Sequence, residues 1–331
     1  MTWQPLIPWP TVFAFVAVAG ALVVWSGRGR SRRPRQDLRR GAMVALAAVA
    51  LAGPAVAVEK EVQVANVEVV FAVDRTGSMA AEDGPEGEPR LNAVRRDVRR
   101  IVEAAASARF AVITWDSSAR VELPVTTDAS AVAHFADNLR QEVTEFSTGS
   151  TLGRPAQVVS DLLESSAASR PQNRRYLVVI SDGETTQGQG EPWLEEWEGV
   201  SEFLNGGAVL GYGTASGGPM RIQGVGGTGA SEEFITDEAG SVALSYLDEE
   251  SLQALASELG VPLLINPGSE QLTTLGEEFL AGAHVDVEEL PGAWTHTYLT
   301  WVPALALVPL VAWELSVFAA TVQHWRRTHA L

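Results

Sequence analysis

Three long stretches without charge limit what this chain can fold into. Residues 7–25 and 41–58 carry no charged side chain, and residues 297–322 carry only Glu314. Each approaches the roughly 20 apolar residues that a helix needs to cross a hydrocarbon core about 30 Å thick. Three membrane spans are therefore expected: one within an N-terminal segment 1–25, one at 41–58 and one at 297–322. They leave 238 residues between the second and third for a folded part, within a chain of 331.

The charge is sharply divided along the chain. Residues 26–40 carry seven arginines against Asp37, and the tail 323–331 adds Arg326 and Arg327. Residues 59–296 hold 39 acidic and 15 basic side chains, a net of −24. Short basic loops stay on the cytoplasmic side, so the 26–40 loop and the C-terminus are expected inside and the acidic part outside. A surface this negative argues against nucleic-acid binding, which needs a basic patch. An apolar run behind arginines that ends in Ala55-Val56-Ala57 also resembles a cleaved signal segment, although such a signal belongs at the N-terminus and not behind another apolar span. With no cysteine in the chain, neither a disulfide framework nor a thiolate metal site is available.

From residue 66 strands and helices alternate. Val67–Val73 is short and rich in β-branched and aromatic residues, as a buried parallel strand should be. In residues 90–106, Leu91, Val94, Val98, Ile101 and Val102 fall on one helical face. Further strands are expected at Arg109–Trp115, Arg120–Val125, Tyr176–Ile180 and 208–212, and helices at 129–143, 153–167, 193–204, 249–259 and 269–281. This alternation predicts an α/β domain over 66–283, a doubly wound, mostly parallel sheet with helices on both faces. Ligands of such sheets sit outside the carboxyl ends of the strands.

The chemistry gathers at those ends. Directly after the first strand the chain reads Asp74-Arg75-Thr76-Gly77-Ser78, which places a carboxylate and two hydroxyls on alternate residues of a tight turn. Thr151 closes the polar run Ser147-Thr148-Gly149-Ser150, and Asp182 follows the strand that ends at Ser181. Five oxygen donors from three loops suit a small octahedral cation whose shell water or a partner group completes. Without soft ligands, zinc and copper are disfavoured.

The ordered set resembles the metal-ion-dependent adhesion site of the von Willebrand factor A family, a D-x-S-x-S motif followed by a threonine and then an aspartate. Thr76 stands where that motif has a serine, keeping the hydroxyl and adding a methyl group. Phe110–Asp116, Pro124–Asp128 and Gly211-Tyr212-Gly213-Thr214 are also similar to the family. The apolar segments at both ends, with Leu247–Leu252 before Ala256 and Gly260, resemble the membrane-anchored aerotolerance-type (Bat-like) bacterial proteins. The resemblance implies Mg²⁺ as the bound ion, with Mn²⁺ or Ca²⁺ as alternatives, and a protein partner that offers Glu or Asp to it. It also implies association with a MoxR-type AAA+ ATPase. A non-enzymatic role is expected.

The chain could act as a membrane scaffold through its spans with little metal dependence. Ser78 as a hydrolase nucleophile would need a histidine in reach, and only His134 and His284 fall firmly within the folded part. The glycine-rich run 224–229 has no Lys-Ser/Thr ending, so it is no phosphate loop. The acidic run Glu82–Glu88 reads as solvated, or else as a device that repels anionic partners or recruits a basic one. Glu314 is expected to snorkel, and Pro303 and Pro309 to kink the last span.

Overall fold

The computed structural model describes residues 2–28, 34–186, 192–225, 233–237 and 239–328. Residues 29–33 of the basic stretch, 226–229 of the glycine-rich run and 329–331 of the tail lie outside the described residues. Contacts divide the chain into two units, Val62–Glu288 and the pair of segments Met1–Glu61 and Glu289–Leu331.

The central unit is built on six strands: β1 (Val67–Asp74), β2 (Arg109–Trp115), β3 (Ala119–Thr126), β4 (Arg174–Ser181), β5 (Gly206–Gly211) and β6 (Leu263–Ile265). Their order is β6-β5-β4-β1-β2-β3. Every neighbouring pair is parallel except β2 with β3, which is antiparallel. Five helices cover the sheet: α1 (Arg90–Ala104), α2 (Ala129–Asp137), α3 (Ala156–Ser169), α4 (Glu249–Leu259) and α5 (Ser269–Leu280).

All eight residues of β1 are buried, because the strand has a core on each side. Val67, Val69, Phe71 and Val73 pack with residues of α1, α2 and α5, whereas Val70 and Ala72 pack with residues of α3 and α4. Two covered faces explain why the strand reads as an unbroken apolar run and not as an alternating one. The expected stripe on α1 is the buried one: Leu91, Val94, Val98, Ile101 and Val102.

Two predicted helices differ. The helix expected over 129–143 ends at Asp137, where Asn138 Nδ2 donates to the His134 carbonyl at 2.8 Å. Beyond it the Glu142 N–H donates to the Arg75 carbonyl at 2.8 Å, so this stretch crosses the strand ends instead of continuing the helix. The helix expected over 193–204 is two 3₁₀ turns, Trp193–Trp197 and Val200–Phe203, separated by Gly199 with φ +77°.

The other unit contains helices Trp9–Arg28, Pro34–Leu51 and Trp301–Thr328, and strand Pro54–Ala65, which runs on past Glu61, is the middle one of a three-stranded sheet. The second apolar run, 41–58, is therefore part helix and part strand. The helix stops because Gly53 takes φ +63°, a left-handed C-terminal geometry that favours glycine, and Pro54 follows it. A Cβ on Gly53 would meet the Gln4 carbonyl oxygen. Pro303 falls in the first turn of the last helix, where a missing N–H costs little, and Pro309 lies inside a helix that runs on to Thr328. Among the described residues one helix, Trp301–Gln323, is long and apolar enough to cross a membrane, and Trp9–Trp25 is a shorter apolar one. Glu314 is paired, not snorkelling: Arg39 and Arg40 both donate to it, Arg40 Nη2 at 2.6 Å, and the Arg39 guanidinium lies 5.0 Å over the Trp313 ring.

Candidate metal centre

The strand order creates the site. From β1 the chain crosses by α1 to β2 on one side, whereas β4 is reached by α3 and lies on the other. The loops that leave β1 and β4 diverge and open a crevice at this switch point. The parallel register aligns Val73 with Ile180, so Asp74 and Ser181 end their strands side by side. Ser181 Oγ donates to Asp74 Oδ2 at 2.7 Å.

Four of the five expected ligands form one hydrogen-bonded chain. Asp74 Oδ1 accepts from the Thr76 N–H at 2.9 Å and from its hydroxyl at 2.6 Å. Thr76 Oγ1 lies 3.0 Å from Ser78 Oγ, and the Ser78 hydroxyl bonds the Asp182 carboxylate. The added methyl of Thr76 does not stop its hydroxyl from facing the cluster. Thr151 is not hydrogen-bonded into this chain among the described residues; its Oγ1 accepts from the Gly153 N–H at 3.4 Å. Its loop is nevertheless fastened beside the Asp182 loop, because Ser150 N–H donates to Thr186 Oγ1 at 2.9 Å and Thr186 N–H to the Ser150 carbonyl at 3.0 Å. From the other side Trp197 Nε1 donates to the Leu152 carbonyl at 3.0 Å.

A residue that the motif does not contain sits at the centre. Arg90, the first residue of α1, is fully buried. Its Nη1 donates to Asp182 Oδ2 at 2.6 Å and to Ser245 Oγ at 2.9 Å. Its Nε and Nη2 hold Asp83 at 2.7 and 3.0 Å, and Nη2 also reaches the Ser245 carbonyl at 2.9 Å. Gly213 leaves room for this side chain: at φ +123°, a Cβ there would lie 2.7 Å from Arg90 Cζ. No local pattern announces Arg90, since Asp182 and Ser245 are 92 and 155 positions away. Glu142, which accepts from Gly77 N–H at 3.2 Å and Ser147 Oγ at 2.6 Å, is another supporting residue without a sequence signal.

The acidic run 82–88 is not simply solvated. Glu82 pairs with Arg221, Asp83 with Arg90 and Glu88 with Arg96. Asp83 also accepts from Thr214 N–H and Oγ1 at 2.8 and 2.9 Å. Of these pairs only Asp83 with Arg90 is buried; Glu88 and Arg96 meet at the surface.

The electrostatics suit a cation. Asp74 and Asp182 are both fully buried. Burial, and then the Asp182 charge, pushes the Asp74 carboxyl up to about 7. Burial also raises Asp182, against the pull of Arg90, and raises Glu184, whose carboxylate accepts from Ser245 Oγ at 2.5 Å. One guanidinium thus faces Asp83, Asp182 and Glu184, with Asp74 close by. Oxygen donors with surplus negative charge in a buried crevice are the chemistry of a hard divalent ion, so the residues present fit one. Among the described residues there is no group of three or more His, Cys, Asp or Glu that could hold a metal, as expected where hydroxyls supply most of the donors.

This sheet order with a hydroxyl-and-carboxylate site at its switch point defines the class, and residues 69–184 match the family model described as von Willebrand factor type A domain. Residues 69–184 thus form a von Willebrand factor A (vWA) domain, and the likeness of the chain to aerotolerance-type proteins holds at the level of the fold. An aerotolerance-related membrane protein from Bacteroides fragilis is 24% identical over 65% of this chain and 99% of its own, with a TM-score of 0.52. The conserved hypothetical protein BatB from Bacteroides thetaiotaomicron is 22% identical over 65% and 98%, with a TM-score of 0.52. No curated protein matches the chain by sequence.

Proposed function

We propose that this vWA domain holds a divalent cation, Mg²⁺ or in its place Mn²⁺ or Ca²⁺, and uses it to capture a carboxylate of a protein partner. Thr76, Ser78 and Thr151 would be direct ligands, and Asp74 and Asp182 would hold the ion directly or through water. The observation that carries this reading is the hydrogen-bonded chain from Asp74 through Thr76 and Ser78 to Asp182. When bound among mostly neutral donors, such an ion stays electrophilic toward an incoming Glu or Asp side chain. The protein's own contribution is preorganisation: Ser181 fixes Asp74, Arg90 fixes Asp182, and the Ser150–Thr186 pairing holds the Thr151 loop.

The role is one of binding and assembly, not catalysis. Ser78 shares its hydroxyl with Thr76 and Asp182, while His284 pairs with Asp286 at 3.3 Å on an exposed surface and His134 is exposed on α2, so among the described residues no histidine is bonded to Ser78 as a hydrolase reading requires. The C-terminal helix anchors the chain. We infer a multi-pass membrane unit in which the helices Trp9–Arg28 and Pro34–Leu51 join it, with the basic 26–40 stretch and the C-terminus cytoplasmic and the vWA domain outside. In that topology a cytoplasmic AAA+ ATPase of the MoxR type could reach only the basic stretch, the tail or the helices themselves. The pairing of Glu314 with Arg39 and Arg40 favours a second reading, in which the helices assemble a membrane complex and the metal matters little.

Pull-down from native membranes separates the two. Capture of partners that is lost with a chelator and in Asp74→Ala supports the metal reading. Capture that survives both but fails in Glu314→Leu supports the scaffold.

A further inference from the structure

A cavity of 310 Å³ opens between the first turns of α1, the stretch after α2 and the segment around Arg221; Arg95, Arg140 and Arg221 line it, with Asp137 as its single acid. A second cavity of 320 Å³ adjoins it, shares Arg140, Gln141 and Gln223 with it, and adds Arg75 and Glu122. Four arginines line the two cavities in a chain with 41 acidic and 24 basic residues; Arg221 is paired with Glu82 and Arg75 with Asp116, while Arg95 and Arg140 stand close enough to repel each other. The walls are built, not incidental. Gln141 Nε2 donates to the Arg221 carbonyl at 2.8 Å. Gln223 N–H donates to Thr144 Oγ1 at 2.9 Å, and Thr144 N–H to the Gln223 carbonyl at 3.1 Å.

The groove starts at the metal loop. Ala80, two residues beyond Ser78, lines the first cavity, and Arg75, directly after Asp74, lines the second. Arg95 is fixed at the groove by Asn92 Oδ1 and the Leu139 carbonyl, both at 2.8 Å. Burial, and then the neighbouring Arg140 charge, holds its guanidinium below the usual arginine range. Two cations facing one cavity in the company of amide side chains favour an anion between them.

We propose that this groove is a second, carboxylate-binding subsite that takes the acidic side chains flanking the one presented to the metal, so that the partner segment is an acidic peptide. The inference rests on the metal-capture reading for its second half only: the groove supplies charge and amide donors whether or not an ion is bound.

The test uses the full chain in an uncharged detergent and fluorescently labelled hexaglutamate, read by anisotropy with Mg²⁺ and with EDTA. Arg140 is exposed, so Arg140→Glu should keep the fold, which an unchanged melting temperature checks; Arg95→Gln is the second variant. Arg140→Glu is expected to weaken hexaglutamate binding about tenfold or more in Mg²⁺, and Arg95→Gln to weaken it in the same direction. Metal-dependent binding that stays within twofold of wild type in both variants overturns the groove and leaves the metal reading standing. Binding that ignores EDTA and Asp74→Ala yet falls in Arg140→Glu supports the groove and removes the metal reading. Absence of hexaglutamate binding under every condition overturns the groove.

Discussion

Arg90 Nη1 donates to Asp182 Oδ2 at 2.6 Å, and neither side chain is exposed to solvent. The same guanidinium grips Asp83, so one cation ties the loop after β1 to the loop after β4. Removing it would strand two buried carboxylates. Arg90→Met is expected to cost about 3–5 kcal/mol of stability, read from urea melts followed by tryptophan fluorescence. Added Mg²⁺ should restore more stability to this variant than it adds to wild type, because a bound divalent ion takes over part of the neutralisation. A loss under about 1 kcal/mol would put the pair in the class of surface ion pairs and contradict its central place.

Ser181 supports the site without being one of its expected ligands. Its hydroxyl fixes Asp74 Oδ2 at 2.7 Å, and outer partners of this kind tune metal affinity. Ser181→Ala should weaken Mn²⁺ binding about 10–100-fold with little change in fold, as measured by competition with a fluorescent chelator. Unchanged affinity would show that Asp74 is oriented by Thr76 alone.

The pH dependence follows from Asp74, whose carboxyl is raised to about 7 in the metal-free fold, first by burial and then by Asp182. The folded chain keeps a proton there that the unfolded chain releases near pH 4. Stability present at low pH is therefore lost as the pH rises from about 4 to about 7. Metal binding needs the carboxylate, so its stabilising effect grows in the same direction. Thermal melts should show the metal-free chain less stable at pH 8 than at pH 5, with Mg²⁺ closing the gap. A larger Mg²⁺ effect at pH 5 would contradict this.

Trp197 anchors the loop that carries Thr151 through its bond to the Leu152 carbonyl. Trp197→Phe keeps most of the packing and deletes the donor, which should cost about 1–3 kcal/mol for the stranded carbonyl and the lost contact. Metal affinity should fall as well, since Thr151 is next in the chain. Reduced stability with unaltered affinity would separate Thr151 from the site.

Much of this was legible in the residues because parallel strands and hydroxyl-rich loops at their ends carry local signatures. The unbroken run Val67–Val73 and the stripe on α1 needed only their own neighbours to be recognised, and of the five expected ligands the structure joins Asp74, Thr76, Ser78 and Asp182 but leaves Thr151 outside their hydrogen-bonded chain. What escaped depends on distant partners. Arg90 looks like an ordinary helix opening until Asp182 and Ser245 arrive from other loops, and Glu142 is buried by contacts with Gly77, Ser117 and Ser147. The stretch after Asp137 has apolar spacing fit for a helix, yet Asn138 and the Glu142–Arg75 backbone bond turn it across the strand ends. The apolar run 41–58 is uniform in hydropathy and conceals the turn at Gly53.

Isothermal titration of Mg²⁺ into the detergent-solubilised full chain and its Asp74→Ala variant tests the central claim most directly. Wild type should show one saturable binding event, and the variant should show none while keeping the wild-type far-ultraviolet spectrum. No uptake by wild type, or equal uptake by both, would contradict a metal centre at the ends of β1 and β4.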